Sequence, residues 1–333
     1  MSVRFRIAAT LAALLLTVSG VGHAVVSKVE HGVERVDPFA GLRDQDRPDG
    51  DPGLNLLVIG TDTREGLTDE ERRAYHLGGE GCHCADSIML VHLSATGDRA
   101  SIVSLPRDTL TALPEPAKLN AALSRGGPEL MVSAVENLTD LRIDHYLEVN
   151  FVSFMRAVDA VGGVEVCTPR PLQDEKSGLD LPAGTSTLTG GEALQYARAR
   201  TVDPTADFGR MQRQQRLLAA LATKALATPA RIPATAEALL TSVRADPGFG
   251  AQEMLDLAEI LAGPNRTTID YASVPVADRD HAHPDLGSTV LWNEREAAAL
   301  FATLKKDLPL PTPKTPTAAT THPTQPANDT LCE

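Results

Sequence analysis

The residues best suited to chemistry in this chain are carboxylates and arginines set at the ends of apolar runs. Asp62 follows the run 54–59 and Gly60, and Asp86 opens the run 87–93. An acid at the exit of a buried strand stands where α/β folds put ligands. Two such acids on neighbouring strands could share a hard divalent cation, with phosphate oxygens and water completing the shell. For Asp62 the plain alternative is an Asx-turn at a strand exit. Arg107 and Asp108 follow Pro106, which ends a ladder and presents Arg107 from a fixed backbone. An isolated surface ion pair is the alternative there.

The densest group is Arg198, Arg200, Asp207, Arg210, Arg213 and Gln214. An extended stretch over 197–201 would put Arg198 and Arg200 on one face. Asp207 as an N-cap places Arg210 in the first turn of a helix, with Gln214 one turn on and Arg213 beside them. Four arginines fall within the sixteen residues 198–213 of a chain whose net charge is −13. Two of them oppose a helix dipole, which makes sense if an anion binds. A solvated basic face is the competing reading. Planar guanidinium forks suit phosphate oxygens, so the anion expected is phosphate or pyrophosphate.

The elements that must position these groups alternate. Short apolar runs at 54–59, 87–93, 100–105 and 145–149 read as strands, the second and third joined by a turn at 95–98. Amphipathic helices are expected over 128–139, 151–161, 210–227, 251–262 and 293–306, with 164–166 resuming the sheet after Gly162 and Gly163. The expected fold is α/β, a central mixed β-sheet flanked by helices. An apolar slot between the helices and the sheet would suit a lipid chain, although the same residues describe an ordinary core.

Ahead of this domain, Arg4 and Arg6 precede an apolar stretch over 7–26, long enough to cross a bilayer. That order predicts a cytoplasmic tail (1–6), a transmembrane signal-anchor (7–26), a stalk (27–53) and an extracellular domain (54–308). A cleavable signal peptide is the alternative, and exports the domain equally. Residues 309–333 hold six prolines and seven threonines and read as a disordered tail. The acidic balance argues against nucleic acid as a partner. In an exported protein the four cysteines, Cys82, Cys84, Cys167 and Cys332, suggest disulfides. The pair Cys82 and Cys84 alone lacks the second half of a zinc pattern.

The segments 55–64, 84–91, 104–108, 118–122 with 126–128, 143–151, 159–164, 181–184, 188–190, 197–200 and 207–214 together resemble the LytR–CpsA–Psr family of cell-wall phosphotransferases. The resemblance implies transfer of a glycopolymer from a polyprenyl-pyrophosphate carrier to a peptidoglycan sugar hydroxyl, with polyprenyl phosphate released. It also implies a possible pyrophosphatase side activity. It places Asp62 and Asp86 on the family's Mg²⁺-binding acids. It places Arg107, Arg198, Arg200, Arg210 and Gln214 on pyrophosphate-binding and catalytic positions, Asp207 on a supporting acid, and Arg64 and Asp108 in matched blocks. Where many members carry Arg, this chain has Cys84, a departure for which Arg64 could compensate. The cysteines would instead staple the insertion at 65–80, Cys82 or Cys84 with Cys167. A non-catalytic exported module that binds lipid-linked polymers is the alternative function. It would not need Asp62 and Asp86.

Overall fold

A computed structural model describes residues 33–63, 67–78, 83–113, 115–202, 207–227, 243–250, 253 and 268–310. The expected anchor, Arg64, Cys82, Cys332, nearly all of the helix expected over 251–262 and most of the Thr/Pro tail lie outside these residues. Among the described residues, no helix is long and apolar enough to cross a membrane.

The chain opens with β1 (Glu34–Arg35), β2 (Leu54–Thr61), a short helix α1 (Asp69–Ala74), β3 (Ala85–Leu93) and β4 (Arg99–Leu105). A small ribbon, β5 (Leu110–Thr111) with β6 (Ala117–Lys118), leads to α2 (Ala121–Thr139), β7 (His145–Asn150) and α3 (Phe151–Val161). Next come β8 (Val164–Thr168), β9 (Leu172–Asp174), β10 (Leu179–Leu181), β11 (Gly184–Leu188), α4 (Gly190–Arg198) and α5 (Asp207–Ala227). The chain closes with β12 (Val243–Ala245), β13 (Thr268–Ser273), the hairpin β14 (Val276–His283) and β15 (Gly287–Trp292), and α6 (Glu294–Lys305).

Seven strands form one sheet in the order β1-β12-β7-β2-β3-β4-β13. It is mixed as expected: β2 runs parallel to β7 and antiparallel to β3, and β13 runs parallel to β4. One face, through Leu57, Ile59, Ile88, Leu90, Val103, Leu105 and Tyr146, shares a core with α2 and α6. Alternation at period two turns Val58, Gly60, Ser87, Met89 and Val149 to the other face, where α3, α4 and α5 lie. Those three helices also pack on one another. The result is three layers with helices on both sides of the sheet.

Three expectations change. The stretch expected as a stalk is, from Val33 to Gly53, part of the folded body. β1 pairs with β12, and Arg47 reaches Glu136 on α2 at 2.7 Å with both side chains nearly buried. The strand at 164–166 does not resume the main sheet but pairs with β11 in a separate ribbon. Gly162, in the left-handed region at φ 87°, turns the chain away from it. Finally, the helix expected over 128–139 is present but is preceded by a further helical turn from Ala121, the two separated by non-helical Gly126 and Gly127. Glycine accommodates the φ of 66° at residue 127.

Candidate active site

The exits of β2 and the start of β3 lie side by side, since Thr61 pairs with Ala85 across a register shift. Asp62 and Asp86 therefore leave adjacent strand ends, as the sequence suggested. β4 ends opposite, Leu105 against Ile88, and Pro106 releases the chain so that Arg107 comes back toward Asp86. Arg107 Nη1 donates to Asp86 Oδ1. From α5, Arg210 Nη2 donates to the backbone oxygen of Asp86 at 3.2 Å. Asp86 is thus a hub for two arginines from different elements. Asp108 extends the cluster, with Lys118 Nζ at 3.1 Å and Arg107 Nε at 3.7 Å. The side chains of Asp86, Arg107, Asp108 and Lys118 are 18–28% exposed, open enough to meet a ligand yet partly shielded from water.

The loop that carries Arg107 is held on several sides. Asn120 N donates to Arg107 O at 2.9 Å, and Val290 N donates to Asp108 O at 2.9 Å. Thr109 Oγ1 donates to Pro106 O at 2.6 Å and accepts from Trp292 Nε1 at 2.9 Å. The β14–β15 hairpin thereby fixes the strand-end arginine from outside the sheet. Nothing in the apolar pattern of residues 268–292 signals this brace.

Arg210 is 4% exposed, which speaks against the competing reading of a solvated basic face at this position. Helix α5, described from Asp207 on, carries Arg210, Arg213 and Gln214. Arg213 shares Arg210's helix but not its destination. It is 3% exposed and donates from Nε to Tyr196 O at 3.0 Å and from Nη2 to Ala199 O. Burial pulls its pKa down to about 10, still a cation at neutral pH.

Arg198 and Arg200 do not share an extended face. Thr189 and Glu192 form a capping box that starts α4, and the helix runs through Arg198. Arg198 donates to Tyr75 O at 3.1 Å and His76 O at 3.5 Å, and lies over the Phe151 ring at 5.9 Å. It thus ties the segment after α1 to α3. The Arg200 side chain is exposed, while its backbone is anchored elsewhere. Gln214 reaches Ala197 O at 3.4 Å and borders an apolar cavity.

That cavity lies between the sheet and α3, α4 and α5, lined by Val58, Met89, Phe151, Phe154, Leu194 and Leu217 among others. Its lining also includes Gly60 and Ser87, the first two residues from Asp62 and the second adjacent to Asp86. An apolar slot therefore abuts the charged cluster. A cation site must be judged on two carboxylates. Among the described residues no group of three or more His, Cys, Asp or Glu could hold a metal ion. Asp62 and Asp86 fit a hard cation that arrives with phosphate oxygens and water as its remaining ligands, the coordination Mg²⁺ favours at nucleotide and phosphate sites.

Lys118 is a site residue that pattern reasoning on Arg and Asp passed over. Its signal was its place in a matched segment beside Asn120, not any spacing to the arginines. Cys84 and Cys167 are each disulfide-bonded rather than free thiols.

The LytR_cpsA_psr family model matches residues 19–306. The cell wall biosynthesis protein LcpA of Corynebacterium glutamicum is 31% identical over 326 residues, covering 86% of this chain and 62% of its own length. The polyisoprenyl-teichoic acid–peptidoglycan teichoic acid transferase TagU of Bacillus anthracis is 34% identical over 168 residues, 50% of each chain. This chain thus spans about three fifths of the one relative and half of the other. The crystal structure of B. subtilis TagV superposes with a TM-score of 0.63 at 28% identity, covering 77% of this chain and 97% of that one. Match length, fold and the order of the site segments agree: the chain belongs to the LytR_cpsA_psr family.

Proposed function

We propose that this protein transfers a glycopolymer from a polyprenyl-pyrophosphate carrier to a sugar hydroxyl of peptidoglycan. The observation that carries the proposal is the meeting of an apolar cavity with a cluster of Asp86, Arg107 and Arg210 at one sheet end. Such a pair of surfaces fits an amphiphile with a pyrophosphate head and a hydrocarbon tail. The name of TagU, a polyisoprenyl-teichoic acid–peptidoglycan teichoic acid transferase, supports the same class of reaction.

In this reading the acceptor hydroxyl attacks the polymer-side phosphorus. The bond from that phosphorus to the bridging oxygen breaks, and polyprenyl phosphate leaves. Arg107 and Arg210 hold the phosphate oxygens and offset the charge that builds on them, with Arg198, Arg200 and Gln214 closing around the same group. Lys118 adds a cation beside Asp108, and in this reading Asp108 would take the hydroxyl proton. Asp62 and Asp86 would hold Mg²⁺, which supplies further charge neutralisation when bound. With water as acceptor, the same displacement would give pyrophosphatase activity. Residues 7–26 would anchor the protein in the membrane with this domain outside the cell.

Wall analysis of a deletion strain tests the proposal. A phosphodiester-linked polymer should leave the peptidoglycan and return with the wild-type gene, but not with Arg107→Ala. An unchanged wall, or full restoration by Arg107→Ala, would contradict it.

A further inference from the structure

The last turn of α4 and the residues just after it, through Thr201, are gripped from two sides. Helix α5 holds their carbonyls: Arg213 donates to Tyr196 O at 3.0 Å and to Ala199 O, and Gln214 to Ala197 O at 3.4 Å. The turn between β9 and β10 holds their amides. Asp174, 2% exposed, accepts the Arg200 N–H at 2.6 Å and the Thr201 N–H at 3.1 Å, both on Oδ2. Its Oδ1 accepts the N–H groups of Lys176 at 2.9 Å and Ser177 at 3.2 Å, within its own turn. One carboxylate oxygen therefore closes a hairpin turn, and the other crosses to the Arg200 backbone. Burial works against the charge, but the amides of Thr201, Arg200, Ser177 and Lys176 outweigh it and hold the carboxyl below its usual pKa.

We infer that Asp174 is a positioning residue for Arg200, fixing the backbone from which that exposed guanidinium meets the phosphates; the inference rests on the pyrophosphate site proposed above. An arginine on a loose loop loses backbone as well as side-chain freedom when it grips an anion. Here the backbone is already ordered by Asp174 on the amide side and Arg213 on the carbonyl side. Asp174 touches no substrate in this account and acts through Arg200 alone.

Asp174→Asn separates the two oxygens. The amide keeps one acceptor for the hairpin turn and sets an NH₂ against the N–H groups of Arg200 and Thr201. The affinity of the full-length protein in detergent for farnesyl pyrophosphate, measured by calorimetry, is compared for wild type, Asp174→Asn, Arg200→Ala and the double variant. Asp174→Asn should weaken binding roughly tenfold, the size of coupling seen between residues that act together. With Arg200 already Ala, the same substitution should change affinity by less than about twofold. Its effect on the melting temperature should be the same in both backgrounds. Equal losses of affinity in both backgrounds, or none in either, would overturn the positioning role while leaving the site intact. If Arg200→Ala binds as wild type does, or wild type does not bind, Arg200 has lost its place in the site and the inference falls with it. If Asp174→Asn does not fold, Arg213→Lys, which keeps the charge but cannot fork to two carbonyls, enters the same cycle with the same expected non-additivity.

Discussion

The strand-end half of the site and the segment after α4 hold their arginines by different means. At the strand ends the guanidinium itself is held: Arg107 by the Asp86 carboxylate, and Arg210 by the Asp86 carbonyl. After α4 the backbone is held, by Asp174 and Arg213, and the Arg200 side chain is left exposed. Arg198 shows a third arrangement, part of its guanidinium engaged by the carbonyls of Tyr75 and His76. A preformed charge is effective when it needs no rearrangement as the reaction proceeds. In the proposed reaction the strand-end pair would set the position of the phosphates, and the later segment would close on what is already placed.

Substitutions can break this contrast or sharpen it. The largest effect is expected at Arg107→Ala, a loss of ~10²–10³ in transfer rate with the fold retained, read by turnover together with thermal melting. Arg198→Ala should cost less, because part of its bonding serves the segment after α1. Amide hydrogen exchange should quicken at residues 69–77 in that variant. A rate loss equal to that of Arg107→Ala, without faster exchange, would erase the distinction between the two halves. The smallest effect is electrostatic. Asp174 has a folded pKa below its ordinary value of 3.8, so its ionised form stabilises the fold. The stability gap between wild type and Asp174→Asn should be fully present above that ordinary value and close as pH falls through the lower folded one. A gap that widens on acidification would reverse the assigned sign.

Much of the scaffold was legible because its signals are local. The apolar runs of β2, β3 and β4 are bounded by turn residues, and Gly162 ends α3 where a left-handed cap is needed. The acids at the strand exits could be placed from those runs alone. What stayed hidden depends on distant partners. Arg47 finds Glu136 across 89 residues and converts an apparent stalk into packed structure. Asp174 reaches Arg200 across 26 residues from a small hairpin with no catalytic pattern. One miss was local: the alternation of Ala and Arg at 197–200 suggested extension, while Thr189 and Glu192 already announced a helix. Residues 268–292 gave no strong apolar period, yet they supply an edge strand and the hairpin that braces the Arg107 loop.

Direct reconstitution tests the central claim that Arg107 and Arg210 handle a pyrophosphate next to an apolar slot. Full-length protein in detergent would be given a radiolabelled, polyprenyl-pyrophosphate-linked glycopolymer, peptidoglycan and Mg²⁺, and label in the insoluble wall would be counted against polyprenyl phosphate released. One polyprenyl phosphate is expected for each polymer attached, with a rate at least about 100-fold lower for folded Arg107→Ala. No attachment by wild type, or attachment at the wild-type rate by Arg107→Ala, would contradict that claim.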